Sequence, residues 1–226
     1  MTYSYNLGLA FEQIVDRFAA NTALRLVDGS AVSYRELDRL SNRIAHGLLA
    51  LGVARRDVVV IFQSKTRFGF GAMLAALKLG ATYVNLDDQN PAQRISRMLD
   101  TCRPRLVLTD CPLPPTLVEA CIAVGVSPVP IETLDHDAEE RTSKRLPETG
   151  LVVGSDPAYL MFTSGSTGVP KGALIAHSSV LNLIGWSQTE FAIRPDDVLT
   201  NVNPVYFDNS VFDFYSALFS GAALAP

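Results

Sequence analysis

Five apolar residues stand in a row at Val58-Val59-Val60-Ile61-Phe62, and four of them are β-branched. A strand with one wet face alternates polar and apolar side chains. A strand with no polar position is covered on both faces, as in a parallel sheet clothed by helices. The rest of the chain fits that demand. Residues 66–79 read as a helix rich in glycine and alanine, 82–86 as a strand, and a helix with Ile95, Met98 and Leu99 on one side comes next. A strand at 106–108, a short helix at 117–124 and a strand at 126–131 continue the alternation. Strands at 158–162, 172–176 and 198–202, with helices at 178–191 and 210–219, complete it. Alternation of this kind predicts an α/β fold of mostly parallel sheets with helices on both faces.

The first 52 residues carry more local signals. Phe11, Ile14, Val15 and Phe18 recur at helical spacing. Residues 23–27 and 31–33 flank Asp28-Gly29, a hairpin turn pair. Ser33 followed by Glu36 is a capping box for a helix that presents Leu37, Leu40, Ile44 and Leu48. Gly52 stands where such a helix would end. Asn90-Pro91 reads as an N-cap with proline at the first helical position. Residues 132–150 are crowded with charge and lack periodicity, which predicts a surface loop. Residues 222–226 begin one more strand. A parallel sheet seldom stops on a new strand, so the expectation is a truncated chain.

Composition narrows the function. The chain has 226 residues, 48% of them hydrophobic and 19% charged, with a formal net charge of −4. That is enough apolar material for a core and too little positive charge for nucleic acid or anionic lipid as the main partner. Cys102, Cys111 and Cys121 are odd in number and form no CxxC pair, so neither a disulfide scaffold nor a zinc ribbon is expected. The N-terminus has no secretory core, and the longest small-apolar run, 68–77, is too short to span a bilayer. The expected setting is the cytoplasm, away from membranes.

Thr163-Ser164-Gly165-Ser166-Thr167-Gly168-Val169-Pro170-Lys171-Gly172 is the richest stretch. Four hydroxyls, three glycines and one lysine lie between two apolar strands. Glycines let backbone N–H groups converge on an anion. Hydroxyls donate to phosphate oxygens, and lysine adds a mobile charge. A flexible linker is the bland alternative, but linkers seldom carry Pro-Lys-Gly between core strands. A Walker A loop needs Gly before the Lys and Ser or Thr after it. Here Pro170 precedes Lys171 and Gly172 follows, which disfavours that reading.

Residues 159–177, Tyr-Leu-Met-Phe-Thr-Ser-Gly-Ser-Thr-Gly-Val-Pro-Lys-Gly-Ala-Leu-Ile-Ala-His, resemble the signature of the AMP-forming adenylation superfamily. Its members include acyl-CoA synthetases, luciferases and the amino-acid-activating domains of nonribosomal peptide synthetases. Residues 32–37 resemble its early Thr/Ser-Tyr-x-Glu-Leu motif. Residues 77–87 resemble its Leu-Lys-Ala-Gly-x-x-Tyr-Val-Pro-Leu-Asp motif, with Asn85 where proline is usual. Phe207-Asp208-Asn209-Ser210 resembles the Phe-Asp-x-Ser of amino-acid-activating members. The resemblance covers the chain in order and implies that residues 1–226 are a partial N-terminal adenylation domain. The family's later motifs and its small C-terminal subdomain are absent from this sequence.

The resemblance implies ATP and Mg²⁺ as cofactors. It implies that a carboxylate is activated as an acyl-adenylate and passed to a thiol, usually phosphopantetheine on a carrier protein. Thr163, Ser164, Gly165, Ser166, Thr167, Gly168 and Lys171 would hold the β- and γ-phosphates, with Lys171 as the catalytic cation. Asp208 matches the aspartate that pairs with a substrate's α-ammonium group, against the plain alternative of a helix cap. Asn209 and Phe212 would lie at the side-chain pocket. Residues 210–215, Ser-Val-Phe-Asp-Phe-Tyr, resemble the Ser-Val-x-Asp-x-Tyr of D-alanine–carrier protein ligases, and Asn203-Pro204 and Trp186 lean the same way. No metal ligand set is expected in the chain itself.

Other residues invite plainer readings. His177 reads as a loop or helix-cap histidine. His46 and His136 lack neighbours for a metal site or a triad. No G-x-S-x-G elbow exists. Phe-Gly-Phe-Gly at 68–71 reads as helix packing. Two alternatives to amino-acid activation stand: an acyl- or aryl-CoA ligase, and a catalytically incomplete nucleotide-binding module.

Overall fold

The computed structural model describes residues 4–87, 90–135, 143–163 and 170–226. Ser164, Gly165, Ser166, Thr167 and Gly168 of the glycine loop, and His136, lie outside the described residues.

The N-terminal signals each act within a short stretch of chain. Asn6 caps α1 (Leu7–Phe18) by accepting the Leu9 N–H at 2.9 Å. β1 (Thr22–Arg25) and β2 (Ala31–Ser33) pair antiparallel around the Asp28-Gly29 turn. Ser33 opens α2 (Tyr34–Ala50) with both halves of the capping box: its Oγ accepts the Glu36 N–H, and Glu36 Oε2 accepts the Ser33 N–H at 2.7 Å. Leu37, Leu40, Ile44 and Leu48 are buried on one face of α2. Gly52 follows the helix at φ 77°, a left-handed backbone that glycine adopts without strain.

The apolar run becomes β3 (Val58–Phe62), the centre of a six-stranded sheet. α3 (Arg67–Leu79) leads to β4 (Thr82–Leu86), α4 (Ala92–Cys102) to β5 (Leu106–Thr109), and α5 (Pro115–Ala123) to β6 (Pro128–Pro130). β7 (Pro157–Thr163) and β8 (Lys171–Ala176) finish the sheet, in the order β6-β5-β3-β4-β7-β8. Every neighbour pair is parallel except β7 with β8. Side chains alternate as a doubly covered sheet requires. Val59 and Ile61 join the core under α2 and α3, while Val60 and Phe62 join Ile95, Met98, Leu117 and Cys121 of α4 and α5. Each such side chain contributes about 1.5–3 kcal/mol on burial.

After α6 (His177–Glu190) come β9 (Val198–Thr200), α7 (Asp208–Leu218) and β10 (Ala223–Ala225). They build a second sheet with the first hairpin, in the order β2-β1-β10-β9. β10 pairs in parallel with both β1 and β9, so the last strand is central in its sheet. One core draws on both sheets and on α1, α2, α3, α6 and α7.

Three local expectations need correction. The residue that precedes α4 as its cap is Pro91, not Asn90. Asn90 turns its Nδ2 to Asp87 Oδ1 at 3.2 Å instead, and α4 has no side-chain cap. Residues 132–150 are not simply a surface loop. Ile131–Leu134 and Pro147–Leu151 are 3-10 turns, and Leu134, Leu146 and Thr149 are buried. Arg145 fastens this stretch to α1 and α2 through Asp16 at 2.7 Å, Glu12 and Asp38. His177 is a core residue, fully buried at the start of α6, where its Nδ1 accepts the Leu7 N–H at 3.0 Å.

Candidate functional site

A cleft of about 390 Å³ lies outside the C-terminal ends of β4 and β7. Open α/β sheets take their ligands at this edge. Three elements form the walls. Met161, Phe162 and Thr163 come from the end of β7, Asn90, Pro91 and Arg94 from the start of α4, and Tyr206, Phe207 and Asp208 from the turn into α7. A smaller void of about 10 Å³ adjoins it, lined by Tyr159, Asn85 and Val205 among others.

Thr163 and Asp208, assigned from separate motifs, line the same cleft. Asp208 is the first residue of α7, and its Oδ1 accepts the Asn209 N–H at 2.9 Å. A carboxylate suits that position, because the helix dipole is positive there. Tyr159 stands nearby. Burial, and then the negative charge of Asp208, push its phenol up to about 12. Tyr159 also stacks between Tyr83 and Tyr215, at 5.6 and 6.4 Å between ring centres.

Lys171 begins β8 directly across from Thr163, and its carbonyl accepts from Thr163 Oγ1 at 3.4 Å. Its side chain is exposed and does not line the cleft. Asn209 is exposed and also outside the lining. Phe212 packs edge-on against Trp186 and Phe191, at 6.2 and 5.5 Å, one turn further along α7. Thr163 and Asp208 are thus brought together, while Lys171, Asn209 and Phe212 surround them at a remove.

Two polar links hold the Asp208 turn in place. Gln63 Nε2 donates to Asn85 Oδ1 at 2.7 Å, and Asn85 Nδ2 donates to the Val205 carbonyl at 3.4 Å. Asn85, the departure from the family's proline, therefore supplies a donor and an acceptor that proline lacks. On the other side, the Lys65 ammonium donates to the Asn201 carbonyl, and Asn201 Nδ2 donates to Ser210 Oγ at 2.9 Å and Asp213 Oδ2 at 3.3 Å. Burial lowers Lys65 and raises Asp213, and their mutual attraction opposes both shifts.

Sequence reasoning missed Arg94 and Tyr206. The periodicity at 92–102 draws attention to the apolar side of the helix alone. A cation in the first turn of a helix that follows a strand end was the available signal. Among the described residues, no group of three or more His, Cys, Asp or Glu could hold a metal ion. Among the described residues, no helix is long and apolar enough to cross a membrane.

Comparison with known proteins agrees with this architecture. The family described as AMP-binding enzyme matches residues 11–226. Tyrocidine synthase 1 of Brevibacillus parabrevis is 32% identical over 216 residues, covering 95% of this chain and 19% of its own length. The L-proline–[L-prolyl-carrier protein] ligase of Streptomyces coelicolor is 31% identical over 212 residues, covering 88% of this chain and 40% of its own. The solved N-terminal subdomain of Klebsiella oxytoca NpsA, in complex with 3-hydroxybenzoyl-AMSN, superposes with a TM-score of 0.83 at 25% identity, over 98% of this chain and 53% of that one. The chain spans well under two thirds of each of these proteins.

Proposed function

Because the chain belongs to the AMP-binding enzyme family, we propose that its cleft activates an amino acid as an aminoacyl-adenylate, for thioester transfer to a phosphopantetheinyl carrier protein. The observation that carries the reading is the meeting of Asp208 and Thr163 in one cleft. Asp208 takes the α-ammonium group, while Thr163 marks the edge of the loop assigned to the nucleotide's phosphates. A carboxylate oxygen attacks the α-phosphorus of ATP. The bond from that phosphorus to the oxygen bridging the β-phosphate breaks, and pyrophosphate leaves. Such a step needs positioning and charge neutralisation more than a protein nucleophile.

Thr163, Ser164, Gly165, Ser166, Thr167, Gly168 and Lys171 are assigned to the departing phosphates. Lys171 fits that role as an exposed cation at the start of β8, across from Thr163. Asn209 and Phe212 are assigned to the substrate's side chain. Mg²⁺ would enter with ATP and neutralise part of the charge on its phosphates. We assign residues 1–226 to the first part of the large adenylation subdomain.

One relative is named for an amino acid and a carrier protein, which favours this reading. The NpsA complex favours a second one, because its ligand is an aryl acid derivative without an α-ammonium group. ATP–pyrophosphate exchange separates them, measured on the longest open frame that contains this chain, with amino acids in one series and aryl acids in the other. Amino-acid-dependent exchange should appear and should fall about 10–100-fold in Asp208→Ala, the range for losing one charged hydrogen bond. Exchange that responds only to aryl acids, or ignores Asp208→Ala, defeats the proposal.

A further inference from the structure

Gly69, near the start of α3, is a poor helix former in a buried position. A Cβ there would lie 2.2 Å from Gln63 Oε1, so the missing side chain makes room for the Gln63 carboxamide. Gln63 follows β3 and is 2% exposed. Its Nε2 donates to Asn85 Oδ1 at 2.7 Å and meets Met73 Sδ at 3.4 Å. Asn85 Nδ2 meets the same sulfur at 3.6 Å and donates to the Val205 carbonyl at 3.4 Å. Val205 lies inside the turn that the Phe207 N–H closes on the Pro204 carbonyl at 3.0 Å, and Asp208 is the next residue. A buried run of amides thus connects α3, the end of β3, β4 and the turn before α7.

Such a run has a cost. Gln63 Oε1 is buried without a partner among the described residues, and apolar side chains would avoid desolvating two amides. What the amides add is direction. Gln63 holds Asn85 Oδ1, and this fixes the Asn85 carboxamide with its Nδ2 towards Val205. Without Gln63 that group is free to turn, and the tie to Val205 is lost with it. We infer that Gly69, Gln63 and Asn85 are one coupled positioning unit, which fixes the Val205 turn over the end of β4 and thereby sets the Asp208 carboxylate in the cleft. The inference rests on the reading that Asp208 meets the substrate. Gln63 and Asn85 line no part of the cleft itself, so they act through the turn.

The test is ATP–pyrophosphate exchange by the longest open frame that contains this chain, with the KM of the amino acid and of ATP measured separately and urea unfolding run alongside. Asn85→Leu should raise the KM of the amino acid about 3–10-fold, the range for losing one hydrogen bond, and leave that of ATP within about twofold. Gln63→Leu should do the same. The double variant should be no worse than the more affected single one, because coupled residues are not additive. Gly69→Ala, with both amides in place, should raise the same KM, and it carries the test if Asn85→Leu does not fold.

A loss of urea stability at wild-type KM would make the unit merely structural and overturn the inference. An equal rise in both KM values would do so by showing general distortion, and an additive double variant by showing independent residues. If wild-type exchange responds only to aryl acids, the amino-acid reading fails by itself. The KM of the aryl acid is then the readout: a rise of the same size keeps the unit, and an unmoved value overturns it too. Absence of exchange with every acid overturns both.

Discussion

His177 should make the protein lose stability as the solution turns mildly acidic, by an amount the structure allows one to work out. Its ring is fully buried, and Nδ1 accepts the Leu7 N–H at 3.0 Å. The proton of the neutral ring therefore sits on Nε2, which has no partner among the described residues. A second proton would displace the Leu7 bond and put a charge into the core. Burial accordingly pushes the imidazole down to about 4, against a weaker opposing pull from Asp156. The unfolded ring takes its proton near the ordinary value of 6.5. Stability from His177 is thus complete above that value and is lost as pH falls towards about 4. Going from about pH 7.5 to about pH 5, the loss is about 2 kcal/mol, a sizeable part of a domain's usual margin.

Two neighbouring groups do not blur this window. Burial alone would raise Asp156, but hydrogen bonds from Arg55, the Val153 N–H and Arg56 hold it at about 2, so its contribution fades only below the ordinary carboxylate value of 3.8. Glu12 is raised by burial and therefore gains stability as pH falls, the opposite slope. A difference measurement removes it. His177→Asn keeps a carboxamide oxygen near the position of Nδ1 and does not titrate. Urea unfolding of both proteins over this range should give curves that diverge by about 2 kcal/mol at the acid end. Parallel curves would refute the reasoning.

Other substitutions probe the frame around the site. Lys78 is fully buried, with its ammonium 2.6 Å from Asp38 and 2.5 Å from Asn42. Lys78→Met removes the nearest cation from the Asp38 carboxylate, leaving Arg145 at 3.8 Å, and should cost about 3 kcal/mol in urea unfolding, and a loss below about 1 would deny the pair its role. Gly221 turns the chain from α7 into β10 at φ 82°, and a Cβ there would lie 2.6 Å from the Phe18 ring. Gly221→Ala should therefore cost about 2 kcal/mol, read as a fall in Tm. Ser33→Ala removes the α2 capping box and should cost about 1 kcal/mol in the same assay.

Signals confined to a few neighbouring residues translated most directly into structure. The run 58–62 became a strand covered on both faces, and Ser33 with Glu36 became a capping box, because each is decided within one or two turns of chain. Pairings between distant segments were not legible. β1, β9 and β10 are only three or four residues long, and nothing in them says that the first and last strands of the chain lie side by side. His177 and Arg145 misled for the same reason. Their partners, Leu7 in one case and Glu12, Asp16 and Asp38 in the other, lie on helices far away in sequence. Asn90 failed as a cap because Asp87, three residues back, competes for its side chain. In the site, Thr163 and Asp208 were visible because each sits in a recognisable motif. Arg94 was hidden because a charged residue on an amphipathic helix looks like ordinary solvent-facing surface until the fold shows which wall it forms.

The position of Asp208 follows from the seam between the two sheets more than from its own helix. The six-stranded sheet supplies Gln63 and Asn85 at the ends of β3 and β4, and through them it holds the Val205 carbonyl. The four-stranded sheet supplies Asn201 at the end of β9, and Lys65 reaches over from beyond β3 to its carbonyl. The turn that carries Asp208 is therefore tied from both sides, and Gln63, Asn85 and Asn201 are almost fully buried. Their donors are bonded directionally, which favours one arrangement over others, although Gln63 Oε1 and Asn201 Oδ1 find no partner among the described residues. An apolar seam of the same area would bind the sheets as tightly but let them slide. Fixing Asp208 against Thr163 requires the directional kind, which accounts for a polar seam in the part of the core nearest the cleft.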